Sequence, residues 1–377
     1  MFVMPSFKMS DADHTHEGKV YALARRLRTT PDKLCDFSSN ANIFAYSLTE
    51  NLIRATPYPF VHYPDTKAGD LAEAIAAHED IAPDRILPGN GGSELIWLTL
   101  QALAPRKVLF IGPAFSEYIA ACHAYEIAYQ IITPPVENDF CCTPENLEEI
   151  WETDADLVVL CTPNNPAAVT YDNMHSVLHM LRAPRVLIDN SCREFLYGTQ
   201  SYAENRLHAY QRLARPGVSL FTLHSFSAFF CCPGIRLGYL MGDRTQIARI
   251  EARRPAWTIS PFAQQMGRTF LKHIDAYRET LPALYSAVAS LGREMRRLAC
   301  MNPERIFEGP GFLCCGLAPR YNAPGVFKAL LMHHRLIVQN CDAIPGMPPG
   351  YIRVQARPEA DAALLLSALE TVYTDNM

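Results

Sequence analysis

Two serines one residue apart, Ser225 and Ser227, follow an apolar run, and Arg236 sits eleven residues after the first of them, inside Pro233-Gly234-Ile235-Arg236-Leu237-Gly238. Hydroxyls and a guanidinium delivered by one loop make an anion-binding layout, since each donates hydrogen bonds and arginine does so through a planar fork. A second stretch of this character is Gly89-Asn90-Gly91-Gly92-Ser93-Glu94, which leads into a helical pattern at 95–103. Glycines at such a junction expose backbone N–H groups at the positive end of a helix dipole, which suits phosphate, although the same residues also make an ordinary tight turn. Asp189, the Asn164-Asn165-Pro166 stretch and Phe115 add a carboxylate, amides and an aromatic ring.

These residues share one kind of position. Apolar runs at 107–111, 157–161, 186–189 and 218–223 alternate with helical patterns at 115–125 and 172–181. Continuous apolar strands between helices predict an α/β fold with a mostly parallel sheet covered on both faces. Function in such sheets collects at the carboxyl ends of the strands, and Phe115, Asn165, Asp189, Ser225 and Ser227 all fall there. Four strand ends carrying polar or aromatic chemistry make a site, where any one alone reads as a turn. Upstream, His16 beside Glu17 reads on its own as solvated surface, and Asn42 as amide turn chemistry. Downstream, a long helical region at 262–298 leads to strands at 311–313, 335–338 and 351–354 and a closing helix at 359–372. The expected organisation is an arm at 1–45, a large domain at 46–260, and a connecting helix with a smaller α+β domain at 261–377.

The chain has 377 residues, 49% of them apolar, and a formal net charge of −5, so neither a nucleic-acid surface nor a membrane surface is expected. Its apolar runs are strand-sized, far short of the ~20 residues of a membrane span. Residues 1–13 lack a basic segment followed by a sustained apolar one, which argues against a signal peptide and for a cytoplasmic protein. The 12 cysteines show no metal-ligand spacing, so no metal is expected and most read as small buried apolar residues.

Taken together, the motifs resemble fold-type-I enzymes that use pyridoxal 5′-phosphate (PLP), in the branch of histidinol-phosphate aminotransferases and threonine-phosphate decarboxylases. The resemblance spans nearly the whole chain. It is carried by His16-Glu17-Gly18, Asp36-Phe37-Ser38-Ser39-Asn40-Ala41-Asn42, Tyr63-Pro64-Asp65, Gly89 to Glu94, Phe115-Ser116-Glu117-Tyr118, Asn164-Asn165-Pro166, Ser225 to Gly238 and Tyr351-Ile352-Arg353-Val354. It implies that Asp189 pairs with the pyridine nitrogen, Phe115 stacks on the ring and Asn165 bonds the phenolic oxygen. The phosphate would be held by Gly91, Gly92, Ser93, Ser225, Ser227 and Arg236, with Tyr63 reaching it from the partner subunit of a homodimer. Arg353 would clamp the α-carboxylate of a small amino-acid substrate, with Asn42, Gln339 and His16 nearby.

Departures from the pattern accompany it. Ala228 stands where the family has its Schiff-base lysine, and Gln339 where the decarboxylase has a substrate-holding arginine. Asn165-Pro166-Ala167-Ala168 replaces Asn-Pro-Thr-Gly, Asp189-Asn190-Ser191-Cys192 replaces Asp-Glu-Ala and an aromatic, and Asn42-Ile43 replaces Asn-Pro. Five changes around one pocket read as natural divergence rather than a single engineered substitution. No lysine lies between Lys107 and Lys272, so none replaces the missing one in place, and PLP is expected to be held non-covalently or as an external aldimine. Loss of the lysine removes the base that amino transfer needs, whereas decarboxylation needs an acid only after carbon dioxide leaves, a role open to His224 or water. The expected activity is decarboxylation of a small O-phospho amino acid. The alternatives are a PLP-binding homologue without turnover, or an aminotransferase carrying an engineered lysine-to-alanine change.

Overall fold

The structure is a computed structural model and describes residues 19–57, 61–170 and 174–372. Its centre is a seven-stranded sheet in the order Ile86–Gly89, Gly238–Met241, Ser219–Ser225, Arg185–Asp189, Leu157–Cys161, Lys107–Ile111, Ala128–Ile132. The five strands from Ser219–Ser225 onward in that order run parallel. Their central members are buried along almost their whole length, as the unbroken runs Leu-Val-Val-Leu and Val-Leu-Ile require.

The sheet is not parallel throughout. Gly238–Met241 runs antiparallel to both neighbours, pairing Ser225 with Gly238 on one side and Gly89 with Gly238 on the other. The reason is the length of the 226–237 connection, which holds only a short 3₁₀ turn at Pro233–Ile235 and no crossover helix, so the chain returns antiparallel. This return folds the Ser225 loop back over the Gly89 strand end.

A second sheet of four antiparallel strands lies C-terminally, in the order Gln339–Asn340, Tyr351–Gln355, Phe312–Leu317, Met301–Glu308. Cys35–Asp36 pairs in parallel with Leu336–Ile337, so the segment after the N-terminal helix is stitched to this part of the chain. Of the expected strand at 335–338 only Leu336–Ile337 is a strand, and Gln339–Asn340, just beyond it, joins the four-stranded sheet instead. The helical region at 262–298 is likewise three helices, Pro261–Lys272, Ile274–Arg278 and Leu281–Met295. His273 leaves helical geometry at the first break, and Pro282 at the start of the third helix cannot continue a preceding one. Among the described residues no helix is long and apolar enough to cross a membrane.

Candidate active site

The positive φ of Gly91 (+79°) turns the chain from the strand Ile86–Gly89 into the helix Gly91–Leu103. Arg236, itself left-handed at φ 60°, lays its guanidinium against that turn; a Cβ built on Gly91 would stand 2.6 Å from Arg236 Nη2. Gly238 permits the other close approach. A Cβ there would meet the His224 carbonyl at 2.7 Å and the Gly91–Gly92 backbone at 3.2 Å. Two glycines therefore bring the helix N-terminus, with Gly92 and Ser93 in its first turn, close to Arg236 and to the strand end that carries Ser225. Ser225 Oγ accepts from the Ser227 N–H at 3.2 Å, which shapes the loop, and Arg236 Nη1 donates to the Pro233 carbonyl at 3.0 Å. Of the six residues expected to form a phosphate cradle, the backbone brings Gly91, Gly92, Ser225 and Arg236 together, with Ser93 and Ser227 following in the same helix turn and loop.

Asp189 ends its strand 5% exposed, in a pocket with Phe110, Phe115, Tyr118 and Cys161. Burial pushes its carboxyl pKa up, while hydrogen bonds from the Ser191 hydroxyl and N–H and from Tyr118 oppose the rise. The distances are 2.6 Å and 3.0 Å to Oδ1 from Ser191, and 3.1 Å to Oδ2 from Tyr118. Sequence reading gave neither donor a role. Tyr118 was visible as the residue one helical turn beyond Phe115, and Ser191 as a hydroxyl two residues after a strand-end aspartate.

Phe115 also lines a second pocket, with Ser116, Asn165, Pro166, Gln339, Ile344 and Arg353. Arg353, 1% exposed, donates to Asn165 Oδ1 and to the Ser38 carbonyl, which aims the guanidinium into that pocket. Gln339 pairs with Arg353 across the strands and donates through Nε2 to the Asn340 carbonyl at 2.8 Å. Asn42 is buried; its N–H donates to the Ala228 carbonyl at 2.8 Å, its Nδ2 to Thr280 Oγ1 at 2.8 Å, and its Oδ1 has no partner. The half-buried Ala228 is thus fixed through its backbone. Tyr63 is 82% exposed, its ring 5.0 Å from that of Trp257. His16 lies outside the described residues.

His224 requires a correction. Side chains alternate along a strand, and Leu223 packs in the same cluster as Tyr118, on the Asp189 side. His224 therefore faces the other side, where its ring stacks on Tyr239 at 4.6 Å in a cavity with His78, Glu194 and Phe230. Burial, aided by Arg193, lowers its pKa to about 3, so it is a neutral imidazole away from the cradle and donates no proton there. Nearby, His78, Glu79 and Glu194 hold ligand-type atoms within 4.8 Å of one another. Arg193 already supplies the positive charge, with bonds of 2.8 Å to each Glu79 oxygen and 2.7 Å to Glu194. It holds Glu79 down at about 2 against the opposing effect of burial.

The described lysines stand elsewhere. Lys107 starts its strand, at the end opposite the site, and bonds Gln130 at 2.8 Å; Lys272 ends a helix; Lys328 lies on the helix Ala323–Ala329. The remaining three precede the large sheet, Lys33 in a 3₁₀ turn and Lys67 exposed in a loop.

Comparison with known proteins gives a consistent picture. The sequence model described as aminotransferase class I and II matches residues 32–372. Threonine-phosphate decarboxylase of Salmonella typhimurium is 24% identical over 368 residues, covering 95% of this chain and 96% of that protein. Among solved structures, a decarboxylase from Sulfurospirillum multivorans superimposes with a TM-score of 0.83 at 22% identity, over 98% of this chain and 95% of that one. Histidinol-phosphate aminotransferase from Sinorhizobium meliloti, solved with pyridoxal 5′-phosphate, does so with a TM-score of 0.78 at 17% identity, over 99% of each chain.

Proposed function

Because the chain belongs to the aminotransferase class I and II family, whose cofactor is PLP, we propose that it holds PLP by contacts alone and decarboxylates a small O-phosphorylated amino acid. The residues present fit the cofactor. The Gly91 cradle, which a Cβ would fill, suits the phosphate; the buried Asp189 suits the ring nitrogen, Phe115 the ring face and Asn165 the phenolic oxygen. When bound, PLP supplies an electron sink for charge developing at the substrate's α-carbon.

The chain's own residues bind and orient. Arg353 takes the substrate carboxylate through its fork, and its bond to Asn165 couples that clamp to the ring site. Gln339 meets the distal part of the substrate with a neutral amide. Tyr63, exposed on one chain, completes the phosphate cradle of a second copy in a homodimer.

The observation that carries the reaction type is Ala228. A methyl group stands where amino transfer needs a base to move a proton from the α-carbon, and no described lysine lies at the carboxyl ends of the strands. Expulsion of carbon dioxide needs no such base. The names of the relatives favour a phosphorylated amino acid as substrate. The placement of His224 favours a second reading, a homologue that holds PLP without turnover, because the acid needed after carbon dioxide leaves must then be water.

The test is to incubate PLP-loaded protein with O-phosphothreonine or O-phosphoserine and measure carbon dioxide, alongside histidinol phosphate with 2-oxoglutarate. Carbon dioxide without keto-acid formation is expected. Release from neither phospho amino acid selects the second reading, and amino transfer with histidinol phosphate contradicts both.

A further inference from the structure

We propose that Ser191 is a positioning residue for the cofactor's ring nitrogen, its hydroxyl and N–H together fixing Oδ1 of Asp189 so that Oδ2, shared with the Tyr118 hydroxyl, meets the ring. The inference rests on the reading that PLP's nitrogen meets Asp189, and goes beyond it by assigning Ser191.

The geometry is specific. Both donors of Ser191 converge on one oxygen, at 2.6 Å and 3.0 Å, and Tyr118 takes the other at 3.1 Å. A carboxylate two residues before its donor is closed into a small ring by the backbone N–H, and the hydroxyl adds a short, charge-assisted bond to the same atom. This pins the side-chain torsion of Asp189 and leaves lone-pair capacity on Oδ2.

The surroundings make the donors matter. The residues lining the pocket of Asp189 are apolar apart from Tyr118 and the Cys161 thiol, and none of the described ones carries positive charge. A buried carboxylate without a cation resists ionisation, so neutral donors must keep the charge on Asp189 until the ring nitrogen brings a proton. If Asp189 became more basic, the shared proton would move from the ring nitrogen to the carboxyl, weakening the electron sink. The Ser191 hydroxyl opposes that transfer.

The experiment uses full-length protein loaded with PLP carrying ¹⁵N in the ring. Wild type should give the resonance of a protonated ring nitrogen at neutral pH. S191A should shift it toward the unprotonated position and weaken PLP binding about tenfold, the order of one hydrogen bond to a charged group. S191T, which keeps the hydroxyl, should restore both, and circular dichroism matching wild type shows that S191A folds. An S191A resonance and affinity equal to wild type overturn the proposal. A D189N resonance equal to wild type instead overturns the underlying reading of Asp189.

Discussion

A buried guanidinium keeps its place by being hydrogen-bonded, and Arg353 does so through Asn165 and the Ser38 carbonyl, one from the ring site and one from the N-terminal segment. The fork's geometry, not its charge alone, is what orients a carboxylate. R353K should therefore raise KM for the amino-acid substrate at least about tenfold while leaving the PLP dissociation constant within about twofold, as steady-state kinetics and cofactor titration would measure. Behind the sheet, His224 and Glu79 set the response to acid. The folded His224 stays neutral down to about 3, whereas the unfolded chain protonates near 6.5, so its contribution to stability is lost as pH falls between those values. Glu79, folded near 2 and ordinarily near 4.5, contributes stability above 4.5 that is lost as pH falls toward 2. Urea unfolding should thus weaken continuously from pH 6.5 downward. H224F, which keeps a ring against Tyr239, should flatten the portion between 6.5 and 4.5 and make the portion between 4.5 and 3 shallower, leaving only the loss that Glu79 carries.

At the scale of elements, the cradle depends on how closely the Gly91 turn docks on the strand Gly238–Met241. G91A forces a left-handed backbone on a residue with a Cβ, costing on the order of 1–2 kcal/mol, and drives that Cβ into Arg236. PLP affinity should fall by more than tenfold with a smaller loss of thermal stability, measured by cofactor titration and thermal unfolding. Much of this arrangement was legible beforehand, because glycines, serines and an arginine at strand ends have few other reasons to occur in that order. The antiparallel return at 238–241 was not, since a four-residue apolar strand carries no mark of direction. The face of His224 was missed for a related reason. Its neighbour Ser225 is the residue expected to hold phosphate, and adjacency in sequence along a strand means opposite faces in space.

At the scale of the molecule, Tyr63 and Trp257 present 82% and 51% exposed rings side by side, an apolar pair that a second copy would cover. Sedimentation should find a homodimer. Y63A should weaken PLP binding in the dimer, the expected result if the ring serves the partner's cradle, whereas unchanged affinity would remove Tyr63 from the site. The polar network of Glu79, Arg193, Glu194, Tyr202 and Tyr239 behind the sheet was invisible in the sequence, because its members come from four separate segments with no shared motif. The whole account turns on a cradle that is intact and an anchor that is absent. The measurement that tests this most directly is borohydride reduction of PLP-loaded protein followed by intact-mass analysis. The account predicts that PLP co-elutes in stoichiometric amount, leaves the chain's mass unchanged after reduction and is removed by dialysis. PLP reduced onto one of the lysines, or failure to retain it at all, would contradict it.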